Sequence, residues 1–145
     1  MTAADAELPD YSGEYIDGDA VDLRADYGEG LVVINIWGAW CGPCRREAAD
    51  LAAAASELEA AGVSFVGIDI RDNKTAAQAF ETEFGTPYRS IFDEPGKLAG
   101  ELDVPAPPAT LYASNGHIYA KQFGVTTKDI IDCVVDSAPT SASPQ

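Results

Sequence analysis

Leu31 to Trp37 reads Leu-Val-Val-Ile-Asn-Ile-Trp, nearly continuous in apolar and β-branched residues. Such a run predicts a strand buried on both faces, as in a parallel or mixed central sheet. Beyond Gly38-Ala39-Trp40 the period changes. Leu51, Ala55 and Leu58 recur at spacings of four and three within an Ala-, Leu- and Glu-rich stretch. This predicts a helix over 42–61 with one face toward the sheet and Gly62 as its stop. Val63 to Ile70 is a second apolar strand, so the three elements form a right-handed βαβ crossover with parallel strands. A second helix is predicted over 74–84, with Ala77, Phe80 and Phe84 on one side and Gly85 at its end, and a short one over 97–102. Val104-Pro105-Ala106-Pro107-Pro108 interrupts regular structure. Strands over 109–113 and 117–123 then flank Ser114-Asn115-Gly116, whose Asn-Gly pair is a hairpin signal, and a helix over 127–135 closes the pattern.

Ahead of the central strand, Asp5 to Glu29 carries nine acidic residues and one basic residue, Arg24, with isolated apolar positions at Tyr15, Ile16, Val21 and Leu23. Ile16-Asp17-Gly18-Asp19 predicts a turn between two short strands, an N-terminal hairpin at the sheet edge whose acidity reflects solvated edges. Residues 1–7 are expected to be disordered. Residues 137–145, rich in Ser and Pro, are expected to form a flexible tail. The organisation is one α/β domain over 8–136.

Composition narrows the function. The 145 residues, 46% hydrophobic and 23% charged, suit one ordinary core. A formal net charge of -15, with no basic cluster longer than Arg45-Arg46, argues against binding to nucleic acid. No apolar run approaches the ~20 residues of a membrane helix, and no basic start or apolar leader follows Met1. Three cysteines do not make a disulfide scaffold; they read as a reactive pair, Cys41 and Cys44, plus one spare thiol, Cys133.

Cys41-Gly42-Pro43-Cys44 stands where a buried strand passes into a helix. Unpaired amides and the helix dipole at such a junction stabilise a thiolate, so Cys41 is expected to be the more accessible sulfur and the nucleophile, with Cys44 resolving. Pro43 suits a first helical turn because it has no amide proton to lose, and the two-residue spacer brings the sulfurs within bonding reach. Glu47, one turn after Cys44, leans back toward the helix start and can serve as proton carrier for the pair. The bland alternative for Glu47 is an acid favoured near a helix N-terminus by the dipole alone. Trp40 is expected to form an exposed apolar platform for substrate beside Gly42 and Pro43, and Trp37 to be core. Cys133, beside Ile130 and Val134, is expected to be a buried inert thiol. His117 has no carboxylate partner that the sequence identifies, and no function is assigned to it.

Trp37-Gly38-Ala39-Trp40-Cys41-Gly42-Pro43-Cys44 resembles the thioredoxin-superfamily signature, and over about residues 8–136 the chain resembles the TlpA/ResA-like branch of cytochrome c biogenesis thiol-disulfide oxidoreductases. Asn35 stands where cytoplasmic thioredoxins carry a buried Asp, and Glu47 matches the branch's acid three residues beyond the second cysteine. The resemblance implies a thioredoxin-like fold, a central mixed sheet flanked by helices. It also implies a cis-proline facing the active site: counting from Val104 selects Pro108, and counting back from Gly116 selects Pro107. Asp103 replaces the Gly usual before that Val.

The activity implied is thiol-disulfide exchange, with the Cys41-Cys44 disulfide as the only redox group and no further cofactor or metal. The expected role is an extracytoplasmic reductant of protein disulfides, for example in cytochrome c maturation. Disulfide oxidase, isomerase and electron donor to a peroxidase are the alternatives within this chemistry. The resemblance implies a membrane thiol donor of the CcdA or DsbD type, a monomer, and a location outside the cytoplasmic membrane, anchored or secreted, with signal or anchor not part of this sequence; a cytoplasmic location is the alternative. A metal-binding module would need Cys133 and His117 to converge on Cys41 and Cys44.

Overall fold

The computed structural model describes residues 1–139. A six-stranded mixed sheet runs through the centre in the order β1-β8-β7-β4-β5-β6. The apolar run becomes β4 (Leu31–Trp37), which pairs in parallel with β5 (Ser64–Ile70) and antiparallel with β7 (Ala109–Ser114). Being interior and covered on both faces, β4 has no use for alternation, which explains its unbroken hydrophobicity. β5 pairs in parallel with β6 (Ser90–Asp93), β7 in antiparallel with β8 (His117–Phe123), and β8 with β1 (Thr2–Glu7).

One face of the sheet packs Val32, Ile34, Ile36, Val66, Ile68 and Ile70 against Leu23 of α1 (Leu23–Tyr27) and Leu98 of α4 (Lys97–Glu101). The other face carries Val33, Phe65 and Tyr112. Against it lie Leu51, Ala54 and Ala55 of α2 (Gly42–Leu58) and Ile131, Val134 and Val135 of α5 (Lys128–Asp136). At the end of the same face, α3 (Lys74–Phe84) sets Ala77 and Phe80 against Trp37 and the two cysteines, with the Trp37 and Phe80 rings 4.7 Å apart.

Local signals set the element ends. Asn73 and Thr127 cap α3 and α5 by accepting the amides of Ala76 and Ile130, and Gly85 ends α3 in a left-handed conformation at φ 61°. α2 is regular to Leu58 and tightens into a 3₁₀ turn over Glu59–Ala61 before Gly62. The hairpin forms as a separate pair, β2 (Ser12–Glu14) with β3 (Ala20–Asp22), and docks on β6 through Ile16 N–H to the Ser90 carbonyl, 2.9 Å. Arg89 draws its turn together, reaching Asp17 at 2.8 Å and Asp19 at 2.6 Å while lying 3.9 Å over the Tyr15 ring.

Several expectations change. Residues 1–7, expected to be disordered, form β1. Thr-Ala-Ala-Asp-Ala-Glu has weak β-propensity, but it lies on the open edge of β8, and Leu8 anchors its C-terminal end. Leu8 is fully buried, donates to Gly116 O and accepts from the Arg24 guanidinium at 2.8 Å. The pairing gives His117 the carboxylate that the sequence did not reveal: Nε2 lies 2.8 Å from Asp5 Oδ1. Cys133, expected to be buried, is exposed, because the inward stripe of α5 is Ile131, Val134 and Val135 and residue 133 falls outside it. Neither α1 nor β6 was predicted, α1 because its five residues are too short to show a period. The tail expected over 137–145 lies mostly outside the described residues.

Candidate active site

Cys41 and Cys44 are joined as a disulfide at the start of α2, with their Cα atoms 5.3 Å apart. Cys41 is the N-cap of the helix: its sulfur accepts the Cys44 N–H at 3.2 Å, and its own amide donates to Gly38 O at 3.0 Å. An amide already aimed at Sγ, together with the helix N-terminus, favours negative charge on that sulfur when the pair is reduced. Pro43 occupies the first turn. The expected contrast in accessibility is absent, since Cys41 is 3% and Cys44 2% exposed. Both cysteines pack among Ile16, Trp37, Ala48, Ala77 and Phe80.

Two hydrogen bonds hold the loop entering the helix. Asp72, after β5, accepts Ala39 N–H at 2.7 Å, and Trp40 Nε1 donates to Ile70 O at 3.0 Å. A Cβ on Gly38 would stand 2.5 Å from Trp40 Nε1, so glycine lets the indole fold back over the loop. Trp40 nonetheless remains 53% exposed beside the disulfide. Trp37 points inward and reaches across Gly67 to Ser90 Oγ at 2.9 Å, a path that a side chain at 67 would close.

Glu47 is 1% exposed. Its Oε2 accepts from Asn35 Nδ2 at 2.9 Å and its Oε1 from Thr126 N–H at 3.0 Å. Burial pushes its carboxyl up from the ordinary value to about 7, against the opposing pull of the Asn35 and Thr126 donors. One turn on, Asp50 accepts Lys128 N–H at 3.0 Å, so α2 grips the start of α5 and the segment that leads into it with two carboxylates. Among the described residues no hydrogen bond joins Glu47 to either sulfur. A small cavity of about 10 Å³, at the lower limit for one water molecule, lies beside Cys44 and is lined by Asn35, the residue that donates to Glu47, together with Trp37 and Tyr88; Glu47 itself does not border it. Dipole stabilisation alone would leave the side chain in solvent, whereas this one is buried and doubly held.

The Pro107-Pro108 peptide is cis, which places Pro108, the choice made by counting from Val104, at the cis position. Ala109 O, next along, accepts from Asn35 Nδ2 at 3.3 Å, and Pro108 O accepts Gly124 N–H at 2.9 Å. The latter bond sets Phe123 and Val125, both exposed, beside the proline loop; neither was singled out from the sequence. Asp103, standing for the family's Gly, has φ 58°, a left-handed conformation that Asp tolerates better than most side chains. His117 and Cys133 do not join the site. Among the described residues, no group of three or more His, Cys, Asp or Glu is placed to hold a metal ion. Also missed was Asp69, a carboxylate inside an apolar strand whose visible signal was its rarity there.

The description of the AhpC/TSA family matches residues 3–133. The chain is 30% identical over 136 residues to the thiol:disulfide interchange protein HelX of Rhodobacter capsulatus, covering 92% of this chain and 75% of that protein. It is 26% identical over 127 residues to the thiol-disulfide oxidoreductase ResA of Bacillus subtilis, covering 87% and 70%. Among solved structures, a DsbF homologue from Corynebacterium diphtheriae superposes with a TM-score of 0.81 at 36% identity, covering 92% of this chain and 87% of that one. A disulfide capping the first helix after a buried central strand, a mixed sheet between helices and these relatives lead to one conclusion: the chain belongs to the AhpC/TSA family of the thioredoxin superfamily and is a thiol-disulfide oxidoreductase.

Proposed function

We propose that the protein acts outside the cytoplasmic membrane, anchored or secreted, as a reductant of protein disulfides such as the cysteine pairs that receive haem in cytochrome c maturation. The observation that carries this reading is the buried Glu47 carboxyl, poised near neutrality behind a disulfide whose first sulfur caps α2. In the reduced protein the Cys41 thiolate attacks a substrate disulfide, forming a mixed disulfide and expelling one substrate thiolate. Cys44 then gives its proton toward the Glu47 carboxylate and attacks Cys41 Sγ, which releases the second substrate thiolate and closes the protein disulfide. Two electrons pass to the substrate, and no group beyond the two cysteines carries them. Trp40, Gly42, Pro43 and the half-buried Pro107 form the surface against which the substrate segment lies, and the backbone next to the buried cis-proline, Pro108, pairs with it. A membrane thiol donor of the CcdA or DsbD type returns the electrons, and the protein works as a monomer.

The reduction potential of the Cys41-Cys44 pair, measured in thiol buffers with Trp40 fluorescence as readout, tests the direction. A value near or below about -250 mV supports the reductant; one above about -180 mV makes the protein an oxidant or isomerase instead.

A further inference from the structure

Asp69 lies in β5, in register with Trp37 of β4 and Phe92 of β6, and is 0% exposed. Alternation along β5 puts it on the face of Phe65 and Gly67, the face covered by α2 and α3. Among the described residues no N–H or hydroxyl reaches either of its oxygens. Three residues on, in the loop that follows β5, stands a second carboxyl, Asp72, whose side chain bears on Asp69 as an acceptor and as a negative charge. Two carboxylates cannot bond to each other, and a buried ion with no donor is among the costliest arrangements in a protein. One of the pair therefore holds a proton. Asp72 does not need it, since its oxygens already accept Asn73 N–H at 2.8 Å and Ala39 N–H at 2.7 Å. Asp69 has no such donors.

We infer that Asp69 is a neutral carboxylic acid whose O–H donates to the Asp72 carboxylate, and that this shared proton fixes Asp72 as the clamp on the Ala39-Trp40 loop leading into Cys41. Asp69 and Asp72 are then positioning residues for the redox pair. The clamp explains why an acid is tolerated inside an apolar strand: the bond it gives is delivered one loop away, at the backbone that sets where Trp40 and Cys41 stand. The remaining charges facing Asp69 favour the neutral form as well. Burial above all, then Asp72, raises the carboxyl to about 10, and Glu81 of α3 and Asp93 of β6 add negative potential in the same direction. The nearby cations are engaged elsewhere: Arg71 donates to Pro105 O, Arg45 lies over Phe80 and Phe84 and pairs with Glu83, and Lys74 sits over Phe92.

The test uses infrared spectroscopy on the oxidised full chain at about pH 8.5, where surface carboxyls and most of Glu47 are ionised. The expected result is a neutral carboxylic-acid carbonyl band, absent in Asp69→Asn and displaced in Asp72→Ala. No band in the unsubstituted protein, or a band that Asp69→Asn leaves intact, overturns the inference. Should Asp69→Asn not fold, a band unmoved in Asp72→Ala overturns it equally. Exchange kinetics supply the second readout, and their use rests on the oxidoreductase reading. Asp69→Ala and Asp72→Ala each slow disulfide exchange roughly tenfold, and Asp69→Asn, whose amide can still donate to Asp72, recovers most of the rate. Equal rates in Asp69→Ala and the unsubstituted protein overturn the positioning role. Failure of the proposed reductant role leaves the infrared result standing, because that measurement requires no turnover.

Discussion

Glu47 and Asp69 are both buried carboxyls on the helix-covered face that carries the disulfide, and they differ in what meets them. Glu47 is offered two N–H donors, from Asn35 and Thr126, and its carboxyl settles at about 7. Asp69 is offered none and meets a second acid, and its carboxyl rises to about 10. Burial is nearly the same in the two, so donors and neighbouring charge make the difference. The first arrangement suits a group that takes and returns a proton near neutral pH. The second suits a group that keeps its proton and commits it to a fixed hydrogen bond.

The comparison is broken most severely by removing the chemistry that both acids are proposed to serve. Cys41→Ser is expected to abolish turnover of a protein disulfide, measured by substrate thiol release, and this sets the baseline for the carboxyl variants. Next in size, Glu47→Gln is expected to slow exchange about a hundredfold near pH 8 and to erase the inflection near pH 7 from the pH-rate profile. An unchanged profile removes Glu47 from the proton path.

Stability against pH sharpens the contrast. A carboxyl whose folded value is raised binds its proton more tightly in the native state, so native stability falls as pH rises from the unfolded value to the folded one. For Glu47 that window runs from about 4.5 to about 7 and amounts to about 3 kcal/mol in the oxidised protein. Urea unfolding across pH is expected to show this fall and Glu47→Gln to remove it. For Asp69 the fall extends from about 4 to about 10, so Asp69→Asn flattens the alkaline side that Glu47→Gln leaves untouched. Should Glu47→Gln flatten both sides, the two acids form one coupled system. The smallest effect is expected from Asn35→Ala, which removes one donor from Glu47 and moves its inflection upward by roughly one pH unit, read from the same pH-rate profile.

The sequence by itself determined β4, β5, α2 and α5, because their hydrophobic periods follow directly from which faces are covered. It located the redox pair and Glu47 as well, since Cys-x-x-Cys at a strand-to-helix junction and an acid one turn later are local patterns. Periodicity and turn signals also placed α3, α4, the β7-β8 hairpin and the β2-β3 hairpin, whereas other features were decided only by the tertiary structure. β1 exists because β8 offers an open edge, a fact about partners far along the chain that Thr2–Glu7 does not encode. Cys133 is exposed because the rotation of α5 on the sheet, a packing outcome, chose Ile131 and Val134 for the inside. The donors that hold Glu47, and their absence at Asp69, come from Asn35, Thr126 and Asp72 on separate elements. A proton affinity depends on distances of a few ångströms between such groups, and local sequence fixes none of those distances.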